Sequence, residues 1–397
     1  MTATPPASAR LRFIVPALGL AQIVSWGSLF YSIAVLAEPM RRELELSGVQ
    51  VFAGFSVALA ISGLLSPIAG RAIDARGGRF VLSWGAMAAA CALAVLASSK
   101  NLIGLLAGWC IAGVAMSMTL YDAAFATLGA ISGTRYRQAV TGLTLIAGFA
   151  STVFWPLSHA IEAHAGWRIT LAAFAVAHLV IVLPLVRIAL PRHAAIGVQE
   201  RGQKMPRASA PAAGKLWIAA CFTLVAFVFS SMSAHLVGLM RIKGLSVEQA
   251  VSVLSLVGPM QVTGRILEMS VGRRYSLVAV GGLTLGLLVT ALAMLIGVHG
   301  MTWLAFAFVV VYGVANGVYT IVRGVLPEML FGRERLGSLL GWLARPQFVA
   351  QAIAPSVVAF LLQVTSPERV IALLCVTDGA ALCCYVWAVR AARHGAR

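Results

Sequence analysis

The sequence predicts an all-α membrane protein: twelve transmembrane helices in two pseudo-symmetric six-helix bundles. Three observations predict it. Of 397 residues, 60% are hydrophobic and only 11% charged, with a mean hydropathy of +0.91. A soluble domain carries about 25% charged residues, so this chain has too little polar surface to cover water-soluble cores. It also has too much apolar surface to remain disordered. Second, the apolar residues fall into twelve runs, each long enough to cross about 30 Å of hydrocarbon as a helix. Third, signals in the first half recur in the second.

The runs lie at about 13–37, 50–72, 80–98, 102–127, 138–160, 167–188, 216–240, 248–270, 276–298, 303–327, 337–362 and 369–391. We number them spans one to twelve. Barrel strands would be about 10 residues long with alternating polarity, and these runs are longer and evenly apolar. The first run is too long for a signal-peptide core and has no A-x-A-like cleavage site, so it reads as a retained span. The longest polar connection, about 189–215, holds Arg192, Arg201, Lys204, Arg207 and Lys215 with Pro206 and Pro211. It reads as a linker. The expected domains are an N-terminal bundle over 1–190, a linker over 191–215 and a C-terminal bundle over 216–397.

The net charge of +17 does not indicate nucleic acid, because the basic residues form no stripe or tail. They sit in short clusters between apolar runs. With the N-terminus inside, 20 Lys and Arg fall on the cytoplasmic side, 7 on the outer side, and Arg265, Arg323 and Arg345 within spans. That bias places both termini in the cytoplasm. Arginine outnumbers lysine 26 to 4, which fits a GC-rich bacterial genome and hence the lipid bilayer of a bacterial inner membrane. The six cysteines, Cys91, Cys110, Cys221, Cys375, Cys383 and Cys384, all lie in apolar runs, where thiols act as small hydrophobes. No Cys/His cluster suggests a metal or a cofactor. No phosphate-binding G-x-x-x-x-G-K-[ST] loop, H-E-x-x-H or G-x-S-x-G motif is present, so neither ATP drive nor enzyme catalysis is expected.

The halves echo each other. Span two ends Gly70-Arg71-Ala-Ile-Asp74-Ala-Arg76-Gly77-Gly78-Arg79, and span eight ends Gly264-Arg265-Ile-Leu-Glu268-Met-Ser-Val-Gly272-Arg273-Arg274. Gly113-Val-Ala in span four matches Gly313-Val-Ala in span ten, and Trp167-Arg168 is echoed by Glu368-Arg369. Parallel repeats of this kind build many secondary transporters, with a substrate site near mid-membrane.

On these residues the chain resembles the major facilitator superfamily. Its signature G-x-x-x-D-x-x-G-x-R is met by Gly70, Asp74, Gly77 and Arg79. The resemblance implies a latch between conformations, for which we name Gly70, Asp74, Gly77, Arg79, Asp122, Glu268 and Arg273. Physically, Gly70 permits close helix approach, Gly77 a tight turn, and Asp74 a pair with Arg76 or Arg79 or a cap on a helix N-terminus such as that of span eleven. The other reading is a charge cluster that only sets topology. Asp122 is expected to pair with Arg79 or Arg71; the alternative is contact with substrate or proton.

A narrower resemblance is to bacterial relatives of the monocarboxylate porters. Gly258-Pro-Met-Gln261-Val-Thr-Gly-Arg265 follows the span-eight pattern G-x-x-D-x-x-x-R, and Tyr31-Ser32-Ile33-Ala34-Val35 follows the span-one pattern K-S-I-G-V. Arg265 then matches the arginine that binds the substrate carboxylate. Gln261 replaces the accompanying acid and Tyr31 the proton-taking lysine, so porter-type proton coupling is not implied, and facilitated diffusion or coupling through another acid stays open. For Arg265 a pair with Glu268 is the competing reading. Arg323 either pairs with Glu328 or Glu268 or attracts an anion, and Arg345-Pro346 invites a kink in span eleven. His235 in span seven is an interior histidine that could hydrogen-bond a substrate. Trp26, Ser28, Asn316 and Tyr319 are further cavity polars, and Asp378 in span twelve is given a structural role. The expected substrate-binding set is Tyr31, Gln261, Arg265, Arg323, His235 and Asn316. The expected function is transport of a small organic anion, a monocarboxylate first, by a monomer using alternating access. Efflux of a drug or metabolite is the alternative.

Overall fold

The computed structural model describes residues 7–192 and 212–394, and among these all regular structure is helical. Most of the linker expected over 191–215 therefore lies outside the described residues. Eleven helical stretches are long and apolar enough to cross a membrane. One, Gly133–Ala189, has 57 residues, about 85 Å at 1.5 Å per residue, which is more than two hydrocarbon crossings. Gly166 breaks it with φ 79°, a backbone conformation that glycine adopts without strain. Counted as spans five and six, it brings the total to twelve. Large apolar side chains such as Ile103, Leu283, Phe360 and Trp387 are exposed on helix surfaces, as lipid-facing residues are.

The described residues divide into two compact units. One holds spans one to six together with Arg333–Arg345, and the other holds spans seven to ten and the chain from Pro346 onward. Span eleven, Leu336–Val364, changes membership at Arg345-Pro346.

The sequence reads as smooth helical runs, but several spans are interrupted. Span one is helical over Ala7–Trp26, makes a π turn over Gly27–Tyr31 closed by Ser32 N–H to the Gly27 carbonyl (2.9 Å), and resumes over Ile33–Glu43. Span four stops at Thr119, passes through an extended Leu120 and restarts as Tyr121–Ile131. Span six contains a second π turn, His178–Val182. Span eight is split into Val247–Leu254 and Val257–Ser270. Side chains supply what the backbone loses there. Gln22 donates to the Thr119 carbonyl (2.5 Å), replacing a bond that the break at Leu120 removes. Hydropathy periodicity carries no mark of such breaks, because both sides of each are equally apolar.

Each unit, taken by itself, carries the same kind of brace at helix ends, with the charges exchanged between the two. In the first, Arg168 at the start of span six reaches Glu43 at the end of span one (3.0 Å) and the carbonyls of Ala97 and Ser99 at the end of span three (3.0 and 2.7 Å). In the second, Lys243 at the end of span seven reaches Glu368 at the start of span twelve (3.3 Å) and the Ile296 carbonyl at the end of span nine (2.8 Å). Cations satisfy the orphan carbonyls of a helix C-terminus and its dipole. Arg168→Ala is expected to lower stability by about 1–3 kcal/mol through the lost carbonyl bonds, read as an earlier thermal unfolding midpoint in detergent. An unchanged midpoint would show that the brace contributes nothing.

Candidate functional site

In the first unit, Asp74 sits at the last turns of Gly48–Arg76. Its carboxylate caps the N-terminus of span eleven, accepting from Gly337 N–H (2.8 Å), Ser338 N–H (2.7 Å) and the Ser338 hydroxyl (2.5 Å). Negative charge on three donors at a helix N-terminus is a strong local interaction. The approach needs glycine: a Cβ on Gly70 would collide with the Gly337 backbone, and one on Gly341 with that of Ser66. Asp122 lines the same cleft with Ser66, Gly70, Ser117, Gly337 and Gly341. Gly77 ends span two with φ 83°. Arg79 donates to the Leu190 carbonyl at the end of span six (3.4 Å), and Arg76 lies over the Phe80 ring. Thus Gly70, Asp74 and Asp122 converge, while Arg79 is turned toward span six. Glu268 and Arg273 belong to the other unit and are not part of this cleft. The Arg273 side chain lies outside the described residues.

The same unit gathers polar and aromatic groups around the π turn of span one. The Ser28 hydroxyl meets His178 Nε2 at 2.8 Å, joining the two π turns. Trp26 contacts Phe30, Tyr31 and Tyr121, and Tyr31 meets Trp155 edge to face with ring centroids 6.0 Å apart. Gln22 Oε1, Trp26 Nε1 and His178 Nδ1 are buried without a hydrogen-bond partner. Sequence reasoning named Trp26, Ser28 and Tyr31 here but missed Gln22, Tyr121, Trp155 and His178. A lone Gln or His in an apolar run was the available signal.

In the second unit, spans eight and ten share a glycine seam. A Cβ on Gly264 would strike the Val314 carbonyl, and one on Gly317 the backbone of Gln261. The G-x-x-x-G pairs Gly313/Gly317 and Gly337/Gly341 thus press on backbone or Cβ atoms of a neighbouring helix. The seam buries Arg265, which is 4% exposed and whose Nε and Nη1 have no hydrogen-bond partner. Glu268, three residues on, is also buried and has a partner of its own. Gln261 is half-buried one turn before Arg265. Asn316 is buried and donates to the Tyr312 carbonyl (2.9 Å). Arg323 is half-buried one turn beyond Tyr319, within its electrostatic reach, and neither it nor Glu328 lacks a partner.

His235 is tied to span eleven. Pro355 has no N–H and therefore frees the Gln351 carbonyl four residues earlier. Ser230 donates to that carbonyl at 2.8 Å, and His235 Nε2 donates to the Pro355 carbonyl at 2.9 Å. The acceptor fixes the Nε2–H tautomer and leaves Nδ1 as an acceptor. Among the described residues no group of His, Cys, Asp and Glu is arranged to hold a metal.

Comparison with known proteins names the fold. The sequence profile of the Major Facilitator Superfamily matches residues 18–286, more than half of the chain. The chain belongs to the Major Facilitator Superfamily. It is accordingly a multi-pass membrane transporter of small molecules and not an enzyme. No curated protein sequence matches it. Similar solved structures include the human organic anion transporter MFSD10 (TETRAN), at 17% identity and TM-score 0.75 over 97% of this chain and 100% of that one. A bacterial homologue of the iron transporter ferroportin aligns at 16% identity and TM-score 0.74, over 95% of this chain and 98% of that one. The proton:xylose symporter XylE bound to 6-bromo-6-deoxy-D-glucose aligns at 14% and 0.71, over 98% and 95%. At such identities the likeness concerns the fold alone.

Proposed function

We propose that this superfamily member carries a small organic anion, a monocarboxylate first, across a bacterial inner membrane by alternating access. Both termini lie in the cytoplasm in this reading, as the asymmetry of Lys and Arg favours, and the carrier works as a monomer. The observation that carries the proposal is Arg265: a permanently charged guanidinium, 4% exposed, with two nitrogens unpartnered. Burying an unpaired charge is costly, and a carboxylate is the ligand whose charge and oxygen pair best satisfy a guanidinium fork. Gln261, one turn away, offers hydrogen bonds to the same ligand. The match of Gly258–Arg265 to the span-eight pattern of the monocarboxylate porters supports this choice, and a solved neighbour that transports organic anions is consistent with it. Tyr31, His235, Asn316 and Arg323 are proposed to complete the substrate-facing polar set. Gly70, Asp74, Gly77, Arg79 and Asp122, with Glu268 and Arg273 in the other half, are proposed as the latch.

The test is thermal stabilisation of the purified protein by acetate, lactate, pyruvate and benzoate, against matched chloride and a panel of cationic drugs. A ligand at 100 times its dissociation constant adds about 2.7 kcal/mol of stability. Stabilisation by at least one carboxylate and not by chloride is the expected result. Stabilisation by the cations alone would replace this reading with drug efflux.

A further inference from the structure

Span twelve carries one acidic residue in its interior, Asp378. It is 1% exposed, and its Oδ1 has no hydrogen-bond partner. The helices packed on span twelve are Ala212–Ile242, Leu277–Gly297 and Thr302–Phe331. The first contributes the buried thiol of Cys221 to the field of Asp378. The second contains no titratable residue. The third contributes the phenols of Tyr312 and Tyr319, the latter also within reach of Arg323. Cys375 lies one turn away on span twelve itself. No basic side chain pairs with Asp378 among the described residues. The Tyr319 hydroxyl is likewise buried without a partner.

This arrangement serves neither protonation state. At Oδ1 an ionised carboxylate meets no donor, and a carboxylic acid meets no acceptor. A structural acid in a membrane interior is ordinarily paired or hydrogen-bonded, and intramembrane carboxylates that are not so held mark proton or ion pathways. The surroundings are also wrong for a metal, which would need several oxygen or nitrogen ligands.

We propose that Asp378 is the proton-carrying group of this transporter: its Oδ1 forms an O–H bond with a proton drawn from water in one state of the cycle and returns that proton to water in another, with the Tyr319 hydroxyl as its hydrogen-bond partner on the way. The proposal rests on the transporter reading but not on the identity of the substrate. It replaces the structural role that the sequence suggests for Asp378, and it supplies an acid where Gln261 and Tyr31 leave the porter pattern without its proton-coupling pair.

Difference infrared spectroscopy of the purified protein tests it with no substrate present. The chain has three aspartates, Asp74, Asp122 and Asp378, so isotope-labelled aspartate confines the signal to these. The expected result is a protonated-carboxyl stretch that moves with the label, appears and disappears as pH is changed within the folded range, and is lost in Asp378→Asn. Tyr319→Phe is expected to shift the band, and it serves as the second variant should Asp378→Asn fail to fold. A wild-type protein with no titrating aspartate band would overturn the proposal. So would a band retained at full size in Asp378→Asn, or one unmoved in Tyr319→Phe. Because no anion enters the measurement, failure of the monocarboxylate reading would leave this result standing.

Discussion

Arg265→Ala is expected to weaken carboxylate binding by roughly 30-fold or more while leaving the empty protein at least as stable as the wild type. The two effects have opposite signs for one reason. In the ligand-free chain Arg265 is a buried cation with two unpartnered nitrogens, so its removal relieves a desolvation cost. With substrate present, the same guanidinium neutralises the anion. Truncating one member of a buried charge pair costs about 2–5 kcal/mol, a loss of roughly 30-fold or more in affinity at 1.4 kcal/mol per tenfold. Titration calorimetry with the best carboxylate from the stabilisation panel measures the first effect, and unfolding of the ligand-free protein measures the second. Arg265→Lys should recover part of the affinity, since an ammonium keeps the charge and loses the planar fork. A structural arginine would behave otherwise: Arg265→Ala would unfold early and bind normally once folded.

Asp74→Asn is expected to release the start of span eleven. The carboxylate accepts three hydrogen bonds at 2.5–2.8 Å from Gly337 and Ser338. An asparagine keeps one acceptor oxygen and turns an NH2 toward remaining donors. Charge-assisted bonds contribute about 1.5–3 kcal/mol each, and the helix dipole adds about 0.3–1 kcal/mol. A net loss of about 2 kcal/mol would raise the opened population roughly 30-fold. The readout is alkylation of a single cysteine at Ser66, which is 3% exposed beneath Gly341, in a chain whose six native cysteines have been replaced. The rate should rise at least about tenfold in the Asp74→Asn background, in keeping with that population shift. Equal rates would mean that the cap contributes nothing to closure and that the signature motif only sets topology.

The architecture was legible because its cause is compositional. Twelve runs of sufficient length leave a chain no fold but a helical bundle in lipid, and the repeated G-R-x-x-[DE] ends make the duplication visible. Asp74 was readable as a helix cap because an acid beside glycines at a span end has few other uses. The irregular turns were not legible. The π turn at Gly27–Tyr31 and the break at Leu120 lie in segments with no proline, and they are held by distant partners, His178 and Gln22, that no local pattern links to them. The same limit explains Asp378. The sequence suggested a structural role for it, whereas its surroundings of Cys221, Tyr312 and Tyr319 come from two other helices. Conversely, Arg265 and Glu268 stand at an i,i+3 spacing that permits contact, yet Arg265 Nε and Nη1 are buried without a hydrogen-bond partner, which no local pattern shows.

Counterflow in proteoliposomes tests the central claim most directly. Vesicles loaded with unlabelled carboxylate are diluted into trace labelled carboxylate with no imposed gradient, so that only a carrier alternating its access accumulates label transiently. The account predicts a saturable overshoot with a monocarboxylate that is absent in Arg265→Ala and in empty vesicles. An overshoot of equal size in Arg265→Ala, or none with any carboxylate while a cationic drug exchanges, would contradict it.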